Sequence, residues 1–375
     1  MVNGRISIDA VVFGAGVFGL WAARRHLAQG RSVAIVDVDR RPLVRASLIN
    51  QARGHNGYHY PRSVYTAVRS ASYYDRFLRD FPTAVNHRFR AVYAVAAEGS
   101  FVDAAHFEKF CATVGVPARR IDPTEFFHDG AVEAAYETDE FSFDAPQLRT
   151  ALLAHLAAYA DRVHWFLGDT VAEAGRDGEA WRMTLRSGVR LTTGSVVNAT
   201  YAGTNALLTA FGLDPVPLKY ELCEIALVDA PAHRDVALTV MDGPFFSLMP
   251  FGHSPWHSLY AVAYSPHLTS SEVLPTFGCQ ARVPDCRPTT LANCGPCPAR
   301  PASSYPYMHA VARRFLSNAH RLRQSESLFT VRAVLSAAEV DDSRPTLVRV
   351  EHEQPSFITL LGGKVNTIFD LDEVL

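Results

Sequence analysis

The stretch ISIDAVVFGAGVFGLWAARRHLAQGRSVAIVDVD, residues 6–39, decides the fold. Ala10 to Phe13 is a short apolar run that stops at glycine, the pattern of a strand buried on both faces. Leu20, Ala23 and Leu27 then recur at helical spacing, and Gly30 stands where a helix C-cap calls for positive φ. Ser32 to Val36 reads as a second buried strand that ends at Asp37. Between the first strand and the helix, Gly14, Gly16 and Gly19 form G-x-G-x-x-G. The first glycine admits a tight turn, the second lets a pyrophosphate approach the backbone, and the third lets helix and strand pack closely. The helix start, with Val17 and Phe18 in its first turn, offers free amides and partial positive charge to phosphate. Asp37, eighteen residues after Gly19, is placed to accept from ribose hydroxyls. Strand, helix and acid in register with the glycines favour a dinucleotide site over glycines that serve a turn alone.

The rest of the chain narrows the class. Its 375 residues suffice for one large core or two domains. A net charge of −2 and the lack of a long basic run remove the electrostatic case for nucleic acid or an anionic membrane. The longest apolar stretch, Ala10 to Ala23, is broken by three glycines, so no integral membrane segment is expected. The start of the chain does not read as a signal peptide, and a cytoplasmic protein is the expectation.

Later segments add pieces to the same sheet. Asp144 is a good N-cap, Pro146 suits the first turn, and Leu148, Leu152, Leu156 and Tyr159 line one helical face. A strand from Val163 to Leu167, a segment around Val171, a hairpin after Trp181 and a buried strand from Val196 to Ala199 follow. PSFITLLGGKVNTIFDLDEVL, residues 355–375, gives a strand, a Gly-Gly-Lys turn and a helix-like tail. The nucleotide domain is thus expected as three pieces, 1–82, 141–205 and 331–375. An antiparallel-sheet substrate domain is expected from 83–140 and 206–330, where Phe245, Phe246 and Met249 read as core.

On these motifs the sequence resembles the D-amino-acid oxidase superfamily of FAD-dependent oxidoreductases, over nearly the whole chain. The likeness rests on the fingerprint, on GDTVAEA at 168–174, on VVNAT at 196–200 and on the C-terminal glycine turn. LLGGKVNT resembles the turn of FAD-dependent glycerol-3-phosphate dehydrogenases. GHNGYHY, residues 54–60, resembles a stretch of those enzymes and of L-2-hydroxyglutarate dehydrogenases. The resemblance implies a Rossmann-like three-layer α/β FAD-binding domain with the substrate domain inserted. It also implies that Val171 holds the adenine end through its backbone, and that the substrate is a small amino or hydroxy acid. The electron acceptor would be oxygen or a quinone-like carrier. Tyr201 stands where many relatives have glycine, and Asn56 replaces a small residue. No cysteine lies beside Gly362 or Gly363, unlike in covalently flavinylated relatives, so bound FAD is expected to be noncovalent; a bond through His55 is the alternative.

QARGHNGYHYPRS, residues 51–63, is rich in polar rings and poor in core formers. In this architecture residues 46 to 62 cross the flavin, where Asn50, Gln51 and Gly57 suit backbone contact and hydrogen bonding. His55, His59 and Tyr60 are then candidates to face the substrate and to orient it or accept its proton; rings that merely satisfy neighbouring backbone are the alternative. Gly362, Gly363 and Lys364 would set amides and a positive charge beside the flavin. Ser63 reads as the cap of a helix with Val64, Val68, Ala71, Leu78 and Phe81 as core. Arg344 is the first candidate to bind a substrate anion, with Arg332 and then Arg62 behind it, though Asp341 and Asp342 are also natural partners for Arg344. Cys279, Cys286, Cys294 and Cys297, in the Cys/Pro-rich loop 279–301, read as reduced thiols or an adventitious disulfide, or else as an imperfect zinc set, and metal is left out of the expected site. Two other readings stay open: an NAD(P)-dependent dehydrogenase and a flavin-binding protein without turnover.

Overall fold

The computed structural model describes residues 5–339 and 344–375, and all that follows concerns these. Asp341 and Asp342 lie outside them. Ala10–Phe13 and Val33–Asp37 pair in parallel, as their unbroken apolar runs require. Around them runs a six-stranded sheet in the order Val163–Leu167, Val33–Asp37, Ala10–Phe13, Ser195–Asn198, Ser356–Leu361, Leu347–His352. Every pairing is parallel except the last. N-terminal, middle and C-terminal pieces of sequence therefore share one sheet.

Alternate residues of its strands serve opposite layers. Ala10, Val12, Val33 and Ile35 pack with the helices Val17–Ala28 and Ala145–Ala157. Val11, Phe13, Ala34 and Val36 pack instead with Trp181, Met183, Leu185 and Leu191 of a four-stranded sheet. Helices, parallel sheet and small sheet make the three layers. The second helix starts as its sequence dictates: the Asp144 carboxylate accepts from the Gln147 amide at 2.9 Å, with Pro146 in the first turn.

A larger sheet of nine strands carries the remaining β segments. It is antiparallel but for one pair, since Val236–Met241 runs parallel to Arg90–Ala96. The expected antiparallel sheet is corrected there, because strands far apart in sequence and not joined by a hairpin are free to run the same way. Phe245, Phe246 and Met249 are buried, as expected of core. The long strand Arg323–Leu335 pairs with Leu218–Asp229 along its length. The boundary drawn at residue 331 falls inside this strand, which carries the large sheet up to the parallel one.

Ser63 precedes a helix, Val64–Ser72, without a side-chain cap bond, and a second helix, Tyr74–Asp80, follows. Of the expected core positions Phe81 is buried and Ala71 and Leu78 pack against core, but Val64 and Val68 do not face in. Val64 and Val68 are 46% and 44% exposed, and Thr66, Ala67 and Ser70 are buried. Gly57, at φ +101°, decides this: a Cβ there would stand 2.9 Å from the Ala67 carbonyl oxygen. Such close approach admits only a small helical residue, so Ala67 faces in and the two valines face out.

Candidate active site

A cavity of about 780 Å³ opens at the carboxyl ends of the parallel strands, where open α/β sheets hold their ligands. Phe13, Asp37, Ala199 and Leu361 mark those strand ends in its wall, and Thr330 to Leu335 close it from the large sheet.

The three glycines divide their duties. Gly14 has φ +101°, and a Cβ on it would overlap the Ala199 carbonyl oxygen. A Cβ on Gly19 would overlap the carbonyl oxygen of Gly14. The fold itself demands these two. Gly16 lines the cavity, and a Cβ there would meet only the Ser47 hydroxyl, at 3.0 Å. Its lack of a side chain serves the cavity. Val17 and Phe18 also line it, and the Val17 amide donates to Ser47 Oγ at 3.1 Å.

Asp37 is in the wall, with a duty the sequence did not reveal. Its Oδ2 accepts from the Ala15 amide at 2.5 Å and its Oδ1 from the Asp39 amide at 2.8 Å. The carboxylate thus ties the glycine turn from behind. Burial pushes its pKa up, and the two amides pull it back.

The C-terminal turn meets the same cavity. A Cβ on Gly362 would overlap the Phe18 ring, and one on Gly363 would overlap the Arg344 carbonyl oxygen. Lys364 Nζ lies 4.4 Å from the centre of the Tyr60 ring. Burial, and then the charge of Arg53, bring its pKa down to about 7. Val171, first residue of the strand Val171–Asp177, is in the wall as well.

Of the ring-rich segment, His55 lines the cavity, whereas His59 and Tyr60 stand outside the lining. Both back His55, with ring centres 5.6 Å from it. Burial first, then neighbouring positive groups including Lys364 and Arg53, hold both histidines well below 6.5. They are neutral at neutral pH. Asn50 and Gln51 line the cavity. Asn50 Oδ1 accepts from the Ala52 amide at 2.7 Å, which steadies Ala52 at φ +56°. Tyr201, also in the wall, adopts φ +58°. Glycine occupies that region without strain, which accords with the expectation that this position suits glycine.

Sequence reasoning missed a buried ionic group behind His55. Arg53 donates to the hydroxyls of Tyr93, Ser247 and Thr239, the last at 2.6 Å, and lies 3.2 Å from Glu140. Glu140 accepts from Tyr93 at 2.9 Å and stands 3.6 Å from His55 Nδ1. Burial pushes its pKa up to about 7, while Arg53 opposes the shift. Residues 53, 93 and 140 have no local pattern in common; the Asp139-Glu140 pair before the strand Phe141–Phe143 was the one available signal.

Three arginines were candidates for an anion. Arg344 and Arg332 line the cavity and Arg62 does not. Arg62 pairs with Asp242 and lies over the Phe101 ring. Arg332 donates through Nε to Glu221 at 2.8 Å and through Nη1 to the Tyr260 hydroxyl at 3.1 Å. The charge of Arg344 reaches His59 and Tyr201. All four loop cysteines are free thiols, and among the described residues no group of three or more His, Cys, Asp or Glu is placed to hold a metal. Among the same residues no helix is long and apolar enough to cross a membrane.

Lys364 gives the site a pH signature. In protein stripped of flavin its folded pKa of about 7 lies below the ordinary 10.5. The unfolded chain therefore binds the extra proton between those values, and stability rises with pH across that window. Lys364→Met removes the titration. The variant should melt higher than the parent at pH 7 and below, and the difference should shrink to nothing towards pH 10.5. A difference that stays constant from pH 6 to 10 would place the amine in water.

These donors fit FAD: a glycine cradle open at Gly16, a carboxylate at Asp37, and a second glycine turn with a cation 4.4 Å from a tyrosine ring. A nicotinamide dinucleotide calls for no such second turn. Comparison with known proteins agrees. Glycine oxidase from Geobacillus kaustophilus superposes with a TM-score of 0.70 over 96% of this chain and 90% of its own, at 15% identity. L-alpha-glycerophosphate oxidase from Mycoplasma pneumoniae, solved with FAD bound, gives 0.74 over 98% and 93%, at 13% identity. L-proline dehydrogenase from P. horikoshii gives 0.66 over 97% and 91%, at 13% identity. The FAD-dependent monooxygenase FPY4 of Fusarium mangiferae is 28% identical over 148 residues, 40% of this chain; the match spans 38% of that protein, about two fifths of its length. The family described as FAD dependent oxidoreductase (DAO) matches residues 9–260, more than half the chain. With cradle, turn and three-layer fold all in accord, the chain belongs to the DAO family of FAD-dependent oxidoreductases and takes FAD as its cofactor.

Proposed function

We propose that the protein oxidises a small amino or hydroxy acid at the C–H bond next to its amine or hydroxyl. FAD, when bound, supplies the hydride acceptor at N5. The observation that carries this reading is the pair of arginines, Arg344 and Arg332, lining with Lys364 the cavity that also holds the neutral ring of His55. Guanidinium groups suit a planar carboxylate, because they offer two parallel donors. Arg344, which lines the cavity beside the C-terminal glycine turn, is assigned the substrate anion; Arg332 donates to Glu221, which Lys219 also approaches at 3.1 Å. His55, kept neutral by burial, can accept a hydrogen bond from the substrate amine or hydroxyl and orient it. His59 and Tyr60 hold that ring in place.

Two of the superposed enzymes are named for amino acids and one for glycerophosphate, which keeps an amine, a hydroxyl and a phosphate in view. The division into cofactor and substrate domains, the acceptor (oxygen or a quinone-like carrier) and a cytoplasmic setting belong to the same proposal. Anaerobic mixing with a panel of amino acids, hydroxy acids and glycerol phosphates tests it. One anionic class should bleach the bound flavin, and its methyl esters should not. A flavin that dithionite reduces but no member of the panel does would favour the reading without turnover.

A further inference from the structure

The cysteine-rich segment was not absorbed by the site, yet it forms part of the cavity wall. Pro288, Thr290, Leu291, Ala292 and Cys294 line the cavity that Asp37, Asp169 and Val171 also line. The segment is built, not loose. It enters from the buried Phe277 and leaves at Ser303 and Ser304, which Glu224 holds; the Ser304 amide donates to it at 2.7 Å. Arg282 donates to the Ala299 carbonyl at 3.1 Å, and Arg300 to the Gly295 carbonyl at 2.8 Å, so the loop is closed on itself. Arg287 and Thr290 exchange backbone hydrogen bonds at 2.9 and 3.0 Å and make a tight turn of the part that reaches the cavity.

From that turn it bridges two walls. Arg186, after the strand Ala180–Leu185, donates to Thr290 Oγ1 at 2.9 Å. Asn293 Nδ2 donates to the Val44 carbonyl at 3.3 Å on the other side. The thiols serve this packing. Cys279, Cys286 and Cys294 lie against the cluster that holds Phe277 and Leu291, and burial pushes Cys294 up to about 12.

We propose that residues 286–297 are a clasp over the end of the cavity that takes the adenosine half of FAD, and that the Thr290–Arg186 and Asn293–Val44 contacts govern how slowly the cofactor leaves. The assignment of that end follows from Asp37, the carboxylate that such folds direct at the ribose. The proposal rests on FAD binding, and the test separates the two. The double variant Thr290→Ala, Asn293→Ala changes two half-buried side chains of a surface loop. FAD release from parent and variant is followed by the rise in flavin fluorescence on dilution. The variant should release FAD on the order of tenfold faster, the worth of two ordinary net hydrogen bonds. It should still fill one site per chain at saturating FAD. An unchanged release rate with full occupancy overturns the clasp and leaves FAD binding intact. A parent that takes up no FAD overturns the cofactor reading itself. A second variant, with residues 284–297 replaced by a short Gly-Ser linker, should release FAD faster still; release at the parental rate from this folded variant also overturns the clasp.

Discussion

Gly16→Val should give a folded and colourless protein. The fold allows the substitution, because a Cβ at this position meets only the Ser47 hydroxyl, at 3.0 Å, and otherwise enters the cavity. The two branches of valine would occupy the space through which the pyrophosphate reaches the helix amides. Loss of two charge-assisted hydrogen bonds, at roughly 1.5–3 kcal/mol each, lowers affinity by about 10²- to 10⁴-fold. Flavin content after purification and titration with added FAD measure the loss, and the melting temperature of flavin-free protein should match that of flavin-free parent. Gly14→Ala is the contrast. Its Cβ would overlap the Ala199 carbonyl oxygen from a backbone at φ +101°, so this variant should fail to fold. Normal FAD content in Gly16→Val would move the pyrophosphate elsewhere. An unfolded Gly16→Val would show that this glycine, too, serves the chain and not the ligand.

That contrast shows what a sequence discloses and what it withholds. Gly14, Gly16 and Gly19 were legible as a set, since turn, strand and helix are local consequences of neighbouring residues. Their separate duties were not, because the carbonyl of Ala199 and the hydroxyl of Ser47 approach from distant parts of the chain. Asp37 was legible as an acid at a strand end. Its bond to the Ala15 amide depends on how strand and turn lie together, which spacing alone does not state. The helix after Ser63 was placed correctly, and Phe81 is core as expected, but the first turns face the other way. Val64 and Val68 recur at helical spacing, and hydrophobic period cannot say that the opposite face must pass over Gly57. The ionic group of Arg53, Tyr93 and Glu140 was invisible for a stronger reason. Its members come from two strands and a loop far apart in sequence, and a buried charge has no sequence signature until its partner is known. The cysteines were legible only as alternatives, since spacing alone does not separate a metal set from thiols; Cys279, Cys286 and Cys294 pack against a core cluster in a loop that walls the cavity.

Arg344→Ala should lower kcat/KM on the best substrate by about 30-fold or more, and leave FAD content unchanged. The magnitude is that of a charged pair lost from a partly desolvated pocket, roughly 2–5 kcal/mol, at about 1.4 kcal/mol per tenfold. Main chain and side chain of this residue are separable. Its carbonyl oxygen backs Gly363 and frames the C-terminal turn, which the substitution leaves in place. The residue lines the cavity, and its side-chain charge reaches His59 and Tyr201. Arg344→Lys should recover little, since an ammonium cannot make two parallel bonds to a carboxylate. Arg332→Ala is the informative companion. It strips Glu221 of its principal partner and leaves that buried carboxylate to Lys219, so the loss should appear first as a lower melting temperature. If instead Arg332→Ala melts like the parent and loses turnover while Arg344→Ala oxidises substrate normally, the anion belongs to Arg332. In that event Glu221 must give up its hydrogen bonds when substrate arrives, and activity should fall further in Glu221→Asp than in Glu221→Gln, because the shorter carboxylate keeps its charge on Arg332 while the amide releases it.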